Sequence, residues 1–180
     1  MKTTDISDFS YYENSIILNE ETLTSKIKII ERMVRSSKEY KDYIKCVRET
    51  DDIKGCAFFK DKNLEEVVLE IHHLITLWDL CMMCGLKLID NLDKEEFLLC
   101  SDVAKEVIFL HMKDMIPVVS LTQTIHQLVH NGEYKIPPDT DQLHLGDYKE
   151  FIKEYKNYLN KEDTIKFYKY FNIDVENLFK

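Results

Sequence analysis

Two pairs of histidines carry most of the chemistry that can be read in this 180-residue chain. His72 and His73 are adjacent in Glu70-Ile71-His72-His73. His126 and His130 stand four apart in Thr124-Ile125-His126-Gln127-Leu128-Val129-His130-Asn131-Gly132. Near pH 7 a neutral imidazole can take a proton or offer a lone pair to a metal ion. On a helix the four-residue spacing puts His126 and His130 on one face, about one turn apart. Two imidazoles held in that way can grip one divalent ion. The upstream pair ends a β-like run from Val67 to Ile71 and can add a third ligand plus a free base. In a strand His72 and His73 point to opposite faces, which suits one ring on a metal and the other beside it. The bland alternative is packing: two hydrogen-bonded surface histidines downstream, and upstream one ring in the core and one in solvent. His111 and His144, which stand singly, are expected to be structural.

The cysteines carry a weaker signal. Cys46, Cys56, Cys81, Cys84 and Cys100 make an odd count. The first thirteen residues are polar and acidic, with no apolar signal-peptide core, so reduced thiols in a cytoplasm are expected. Cys81-Met82-Met83-Cys84 has zinc-knuckle spacing, but no second cysteine pair exists. Its apolar neighbours make it a stretch of helix core.

These residues need elements to position them. Four glycines and three prolines leave few turns of the β-protein kind, so the fold is expected to be α+β and mainly helical. Leu23, Ile27, Ile30, Met33 and Val34 fall at helical spacing after Asn19. Ser36-Ser37-Lys38-Glu39 has a capping-box pattern, with Ser36 at the cap, and starts a second helix through Tyr40, Tyr43, Ile44 and Val47. Cys56 to Phe59 reads as a strand, Asp61 to Asn63 as a turn, and Thr76 to Ile89 as a buried helix. A short helix is expected from Lys94 to Cys100, and a longer one after Ser101 and Asp102. Pro117 confines Ile116 to Val119 to a sheet edge or a strand end. Thr122 or Thr124 caps the helix that bears His126 and His130, and Asn131-Gly132 stops it. Tyr148, Phe151, Ile152, Tyr155 and Tyr158, then Ile165, Phe167, Tyr168 and Phe171, follow helical spacing as packing stripes. Three segments of one domain result: 1–55 helical, 56–145 bearing the histidines, and 146–180 helical.

Charge narrows the function classes. The formal net charge is −9. Residues 72–144 hold every histidine and carry five Lys and no Arg against eleven Asp and Glu, so 5 − 11 = −6. Nucleic-acid binders usually show the opposite sign, because phosphate contacts supply much of their affinity. The acidic balance therefore disfavours nucleic acid and favours a protein partner. No run approaches the ~18 apolar residues of a membrane span.

Strand, His-His, second strand, then a helix with His-x3-His resembles the ββα-metal core of HNH nucleases, in the pattern of the colicin-type enzymes. The segment IPVVSLTQTIHQLVHNG, Ile116 to Gly132, resembles the phrase that joins the second strand to the metal-binding helix. Together with Glu70-Ile71-His72-His73 and the trailing Gly146 to Leu159 helix, it is similar to small HNH-type proteins of bacteriophages. The resemblance implies that His72, His126 and His130 hold a divalent ion, zinc or another transition metal before magnesium, and that His73 is the general base that activates water. It implies a metal-dependent endonuclease in the host cytoplasm. Three departures accompany it. The family's central Asn falls at Pro117, a helical insertion from about Thr76 to Met112 separates the two histidine pairs, and Thr122 and Ile125 replace bracing cysteines. These departures motivate an alternative, an inactive fold whose metal is structural and which serves as a protein-interaction module. A third reading is an all-helical adaptor with no metal.

Overall fold

The computed structural model describes residues 17–50, 53–59, 68–93, 97–137 and 140–171. The turn expected at Asp61 to Asn63 and the start of the strand at Val67 lie outside these residues. The fold is mainly helical α+β, as the composition implies.

The first long helix, α1 (Glu20–Ser36), begins at Asn19, whose side chain accepts the Thr22 amide while Thr22 caps the Asn19 amide in return. Glu20 and Glu21 complement the positive end of the helix dipole. Its stripe of Leu23, Ile27, Ile30, Met33 and Val34 is buried as the spacing requires. Ser37, not Ser36, is the residue between helices: it is extended and its hydroxyl accepts the Tyr40 amide, opening α2 (Lys38–Arg48). Ser36 instead closes α1, donating its hydroxyl to the Met33 carbonyl.

After β1 (Ile17–Leu18), α1 and α2, the chain runs through β2 (Leu69–His73), α3 (Leu77–Asp90), β3 (Leu98–Leu99), α4 (Cys100–Met112), β4 (Val118–Thr122), α5 (Gln123–His130), β5 (Leu143–His144), α6 (Tyr148–Tyr155), a short 3-10 turn and α7 (Lys161–Phe171). α1 packs on α3 and α4, and α2 on α4. Cys81 and Cys84 are buried in α3, so they are core thiols.

Two strand expectations fail in instructive ways. Cys56 to Phe59 is a turn, closed by the Phe59 amide on the Cys56 carbonyl, and meets β4 through the Ala57 amide on the Ser120 carbonyl and the Thr122 amide on Cys56 Sγ. Leu98 and Leu99 do not belong to a short helix. They pair antiparallel with Ile17 and Leu18, a partner some eighty positions upstream that no local pattern announces. Ile165 is exposed on α7, so the stripe expected there is not wholly a packing face.

The sheet orders β2–β4–β5, all antiparallel, with Glu70 opposite Leu121, His72 opposite Val119 and His73 opposite Val118. Val118 in turn faces His144. Side chains opposite one another point to the same side, and successive ones alternate. The sheet therefore separates two apolar clusters. Ile71 and Val118 join the helical core built on α1, α3 and α4. Val119 and Leu121 join a smaller one with Leu74, Ile125 and Ile136, against which α5 packs.

Candidate metal centre

Glu70 and His72 are two apart on β2, so both project to the α5 side of the sheet. α5 starts without a loop: Thr122, the last residue of β4, is its cap and accepts the Ile125 amide. The helix ends in a two-bond turn, with the Gly132 amide on the Val129 carbonyl and the Glu133 amide on the Leu128 carbonyl. Gly132 takes φ 74°, the left-handed conformation that glycine adopts without steric cost. A strand and a fixed helix thus hold the histidines on both sides.

The structure brings His72, His126 and His130 together. Each offers one ring nitrogen within 4.8 Å of the others, and this is the metal-competent cluster among the described residues. Ring centroids are 5.0 Å apart for His72–His126, 4.9 Å for His72–His130 and 4.6 Å for His126–His130. The Nε2 atoms of His126 and His130 lie 3.0 Å apart. Two nitrogens bound tetrahedrally to one zinc at ~2.0–2.1 Å would be separated by about 3.3 Å, so a small rotamer change suffices.

Glu70 completes the arrangement. Its carboxylate accepts a hydrogen bond from His126 Nδ1. That bond places the proton on Nδ1 and leaves the Nε2 lone pair facing the cluster, as an outer carboxylate does behind many metal-bound imidazoles. Burial, then the neighbouring His126, lower the His130 pKa, which keeps that ring neutral and able to ligate. Glu70 stands in the same Glu-Ile-His-His tetrapeptide as His72, and no metal or catalytic role for it is evident from the sequence. The only hint is its two-residue offset from His72.

His73 is not part of this cluster. The strand runs through it, so the pleat turns it to the helical side, where it is buried. Its Nε2 lies 3.0 Å from His111 Nε2, and its ring stacks on Tyr40 at 6.1 Å. His111 Nδ1 donates to the Val107 carbonyl over 2.6 Å, so its Nε2 is the acceptor and His73 the donor. Burial first, then the His111 charge, push the His73 pKa well below its ordinary value. The division of labour expected from the adjacent pair is thus resolved spatially: His72 faces α5, while the ring expected to act as base packs in the core. His111 and His144 lie outside the three-histidine cluster, with His144 Nε2 donating to Asp114 Oδ1 over 2.7 Å. Pro117 enters β4 and its carbonyl accepts the Leu74 amide.

Residues 1–176 match the family model described as bacteriophage G278-like virion protein. The chain belongs to that family. No curated protein and no solved structure matches. The bacteriophage connection stands on this family, and the HNH resemblance is not supported by it. Among the described residues no helix of this G278-like protein is long and apolar enough to cross a membrane.

Proposed function

We propose that this G278-like protein is a component of the phage particle that binds another protein, and that His72, His126 and His130 hold a divalent transition-metal ion as a structural clip between β2 and α5. The observation that carries the reading is the convergence of three imidazoles from a strand and a helix, with Glu70 behind one of them. Three nitrogen donors suit zinc or a neighbouring transition ion better than magnesium, which prefers oxygen. A structural ion contributes folding energy directly. The virion assignment comes from the family description, and the net charge of −9 favours a protein partner over nucleic acid.

A second reading, a metal-dependent HNH-like endonuclease, is favoured by one specific observation. His72 lies on β2, which pairs with β4, and β4 runs directly into the helix that bears His126 and His130; three protein ligands leave a coordination position for a phosphate oxygen or water. A bound ion there would supply Lewis-acid polarisation of a phosphodiester. Against this reading, His73 is enclosed between His111 and Tyr40, and Pro117 has no side-chain amide.

One set of measurements separates the two. The purified protein is analysed for bound metal, its thermal midpoint is followed with and without chelator, and supercoiled plasmid and RNA are incubated with Zn, Ni, Mn or Mg. A structural clip gives stoichiometric metal, a midpoint that falls on chelation and no cleavage. Cleavage that disappears in His126→Ala would establish the nuclease instead. An unchanged midpoint and no bound metal would reject both.

A further inference from the structure

On the other face of the sheet, His111 borders a cavity that the metal reading does not use. It has a volume of about 240 Å³ and lies between α2 and the end of α4, beside β5. Tyr43, Val47 and His111 form its buried inner wall. The polar atoms of that wall are already committed: the Tyr43 hydroxyl donates to the Ile116 carbonyl over 3.2 Å, and both His111 nitrogens are engaged by Val107 and His73. The interior therefore presents apolar and ring surface. Burial lowers the His111 pKa to about 4, so this wall stays uncharged at neutral pH.

The rim has a different chemistry. It carries two carboxylates, Asp42 on α2 and Asp114 just after α4, and among the described residues no lysine or arginine lines the cavity. Asp42 is exposed and has no ion pair among the described residues. Asp114 sits at φ 54°, in the left-handed region where glycine is the usual residue. Aspartate is one of the few other residues that enter this region readily, and its carboxylate receives the His144 Nε2–H.

An apolar chamber with carboxylates at its rim suits an aliphatic stem that ends in a cation. We propose that this cavity is a docking site for a lysine or arginine side chain of a partner polypeptide in the phage particle. The methylenes lie along Val47, Tyr43 and the His111 ring, and the cation meets Asp42 and Asp114 in charge-assisted hydrogen bonds. The excess of carboxylates over the whole chain draws basic partners to the surface that holds this site. The inference rests on the assembly half of the function proposed above and not on the metal ion, which lies across the sheet.

The test uses the 180-residue chain and NMR. N-acetyl-lysine methylamide and its arginine counterpart are titrated against the uncharged norleucine analogue, following the Met112 methyl and the His111 and His144 ring signals. A saturable shift is expected, with a dissociation constant on the order of 1 mM for so small a probe. Norleucine is expected to bind at least about tenfold more weakly, the effect of losing roughly 1.4 kcal/mol of ionic contact. Asp42→Asn weakens the lysine probe several-fold without moving the thermal midpoint, and Cys46→Trp, which fills the mouth, abolishes the shift. No saturable shift with either basic probe, or norleucine binding as well as lysine, overturns the proposal. Zinc titration of the same sample reports on His72, His126 and His130, so either site can fail while the other stands.

Discussion

Glu70 decides which nitrogen His126 turns toward His72 and His130, and so toward the ion of the proposed site. Its carboxylate holds the Nδ1 proton, so the Nε2 lone pair is presented before any metal arrives. Glu70→Gln keeps an acceptor but removes the charge that raises imidazole basicity. The expected result is a roughly 10- to 100-fold loss of zinc affinity, read by competition with a chromophoric chelator, with little change in the stability of the metal-free chain. Unchanged affinity would show that the carboxylate merely packs beside the ring. His111 gives a second prediction at this scale. Burial lowers its pKa to about 4 in the folded chain, against 6.5 when exposed. Between those values the unfolded chain binds a proton that the folded one refuses, so stability is full above pH 6.5 and falls as the pH drops toward 4. The whole effect is about 3 kcal/mol. Urea midpoints across this range should decline less in His111→Gln than in the parent, since the glutamine removes the titrating group. Parallel declines would mean that the acid sensitivity resides elsewhere.

At the scale of elements, what could be read in the sequence was what is encoded locally. The Asn19 cap and the Leu23-to-Val34 stripe lie within one helix, and the Gly132 stop lies within one turn. The His126–His130 face follows from helical geometry alone. What escaped depends on partners far along the chain: Leu98–Leu99 finds Ile17–Leu18, and His73 finds His111 across 38 positions. The same limit explains Asp114, whose left-handed backbone closes α4 as Gly132 closes α5, yet whose residue type signals it less strongly than glycine does. Gly85 is another long-range dependence. A Cβ there would stand 2.6 Å from Leu23 Cδ1, and Leu23 is fully buried where α1 crosses α3. Alanine would gain about 1 kcal/mol of helix propensity over glycine, but overpacking at a closed contact costs about 1–3 kcal/mol. Gly85→Ala is therefore expected to destabilise by up to about 2 kcal/mol in urea unfolding, and Leu23→Val added to it should recover part of any such loss. A stabilised Gly85→Ala chain would mean that the two helices separate freely at this crossing.

Across the whole molecule, the three-stranded sheet works as a partition. On one side is the large core of α1, α3 and α4. On the other, a small cluster around Val119, Leu121, Ile125 and Ile136 carries α5 and the three histidines. A cluster of so few side chains removes much less apolar surface from water than the helical core does, so α5 and its end of the sheet should open at lower free energy than the bundle. An ion binding only the closed form adds stability by mass action, about 2.7 kcal/mol at a free concentration one hundred times its dissociation constant. In the proposed site that stabilisation acts where His72, His126 and His130 converge. Hydrogen exchange with and without zinc should show protection gained in α5 and in the Leu121–Thr122 end of β4, with α1 and α3 nearly unchanged. His130→Ala should remove the zinc-dependent gain while leaving the metal-free pattern close to that of the parent, because His130 is exposed and contributes little to the apolar cluster. Protection that rose equally through α1 and α3 would mean that the two sides open together, and the sheet would then be the centre of one cooperative core and not the boundary between two.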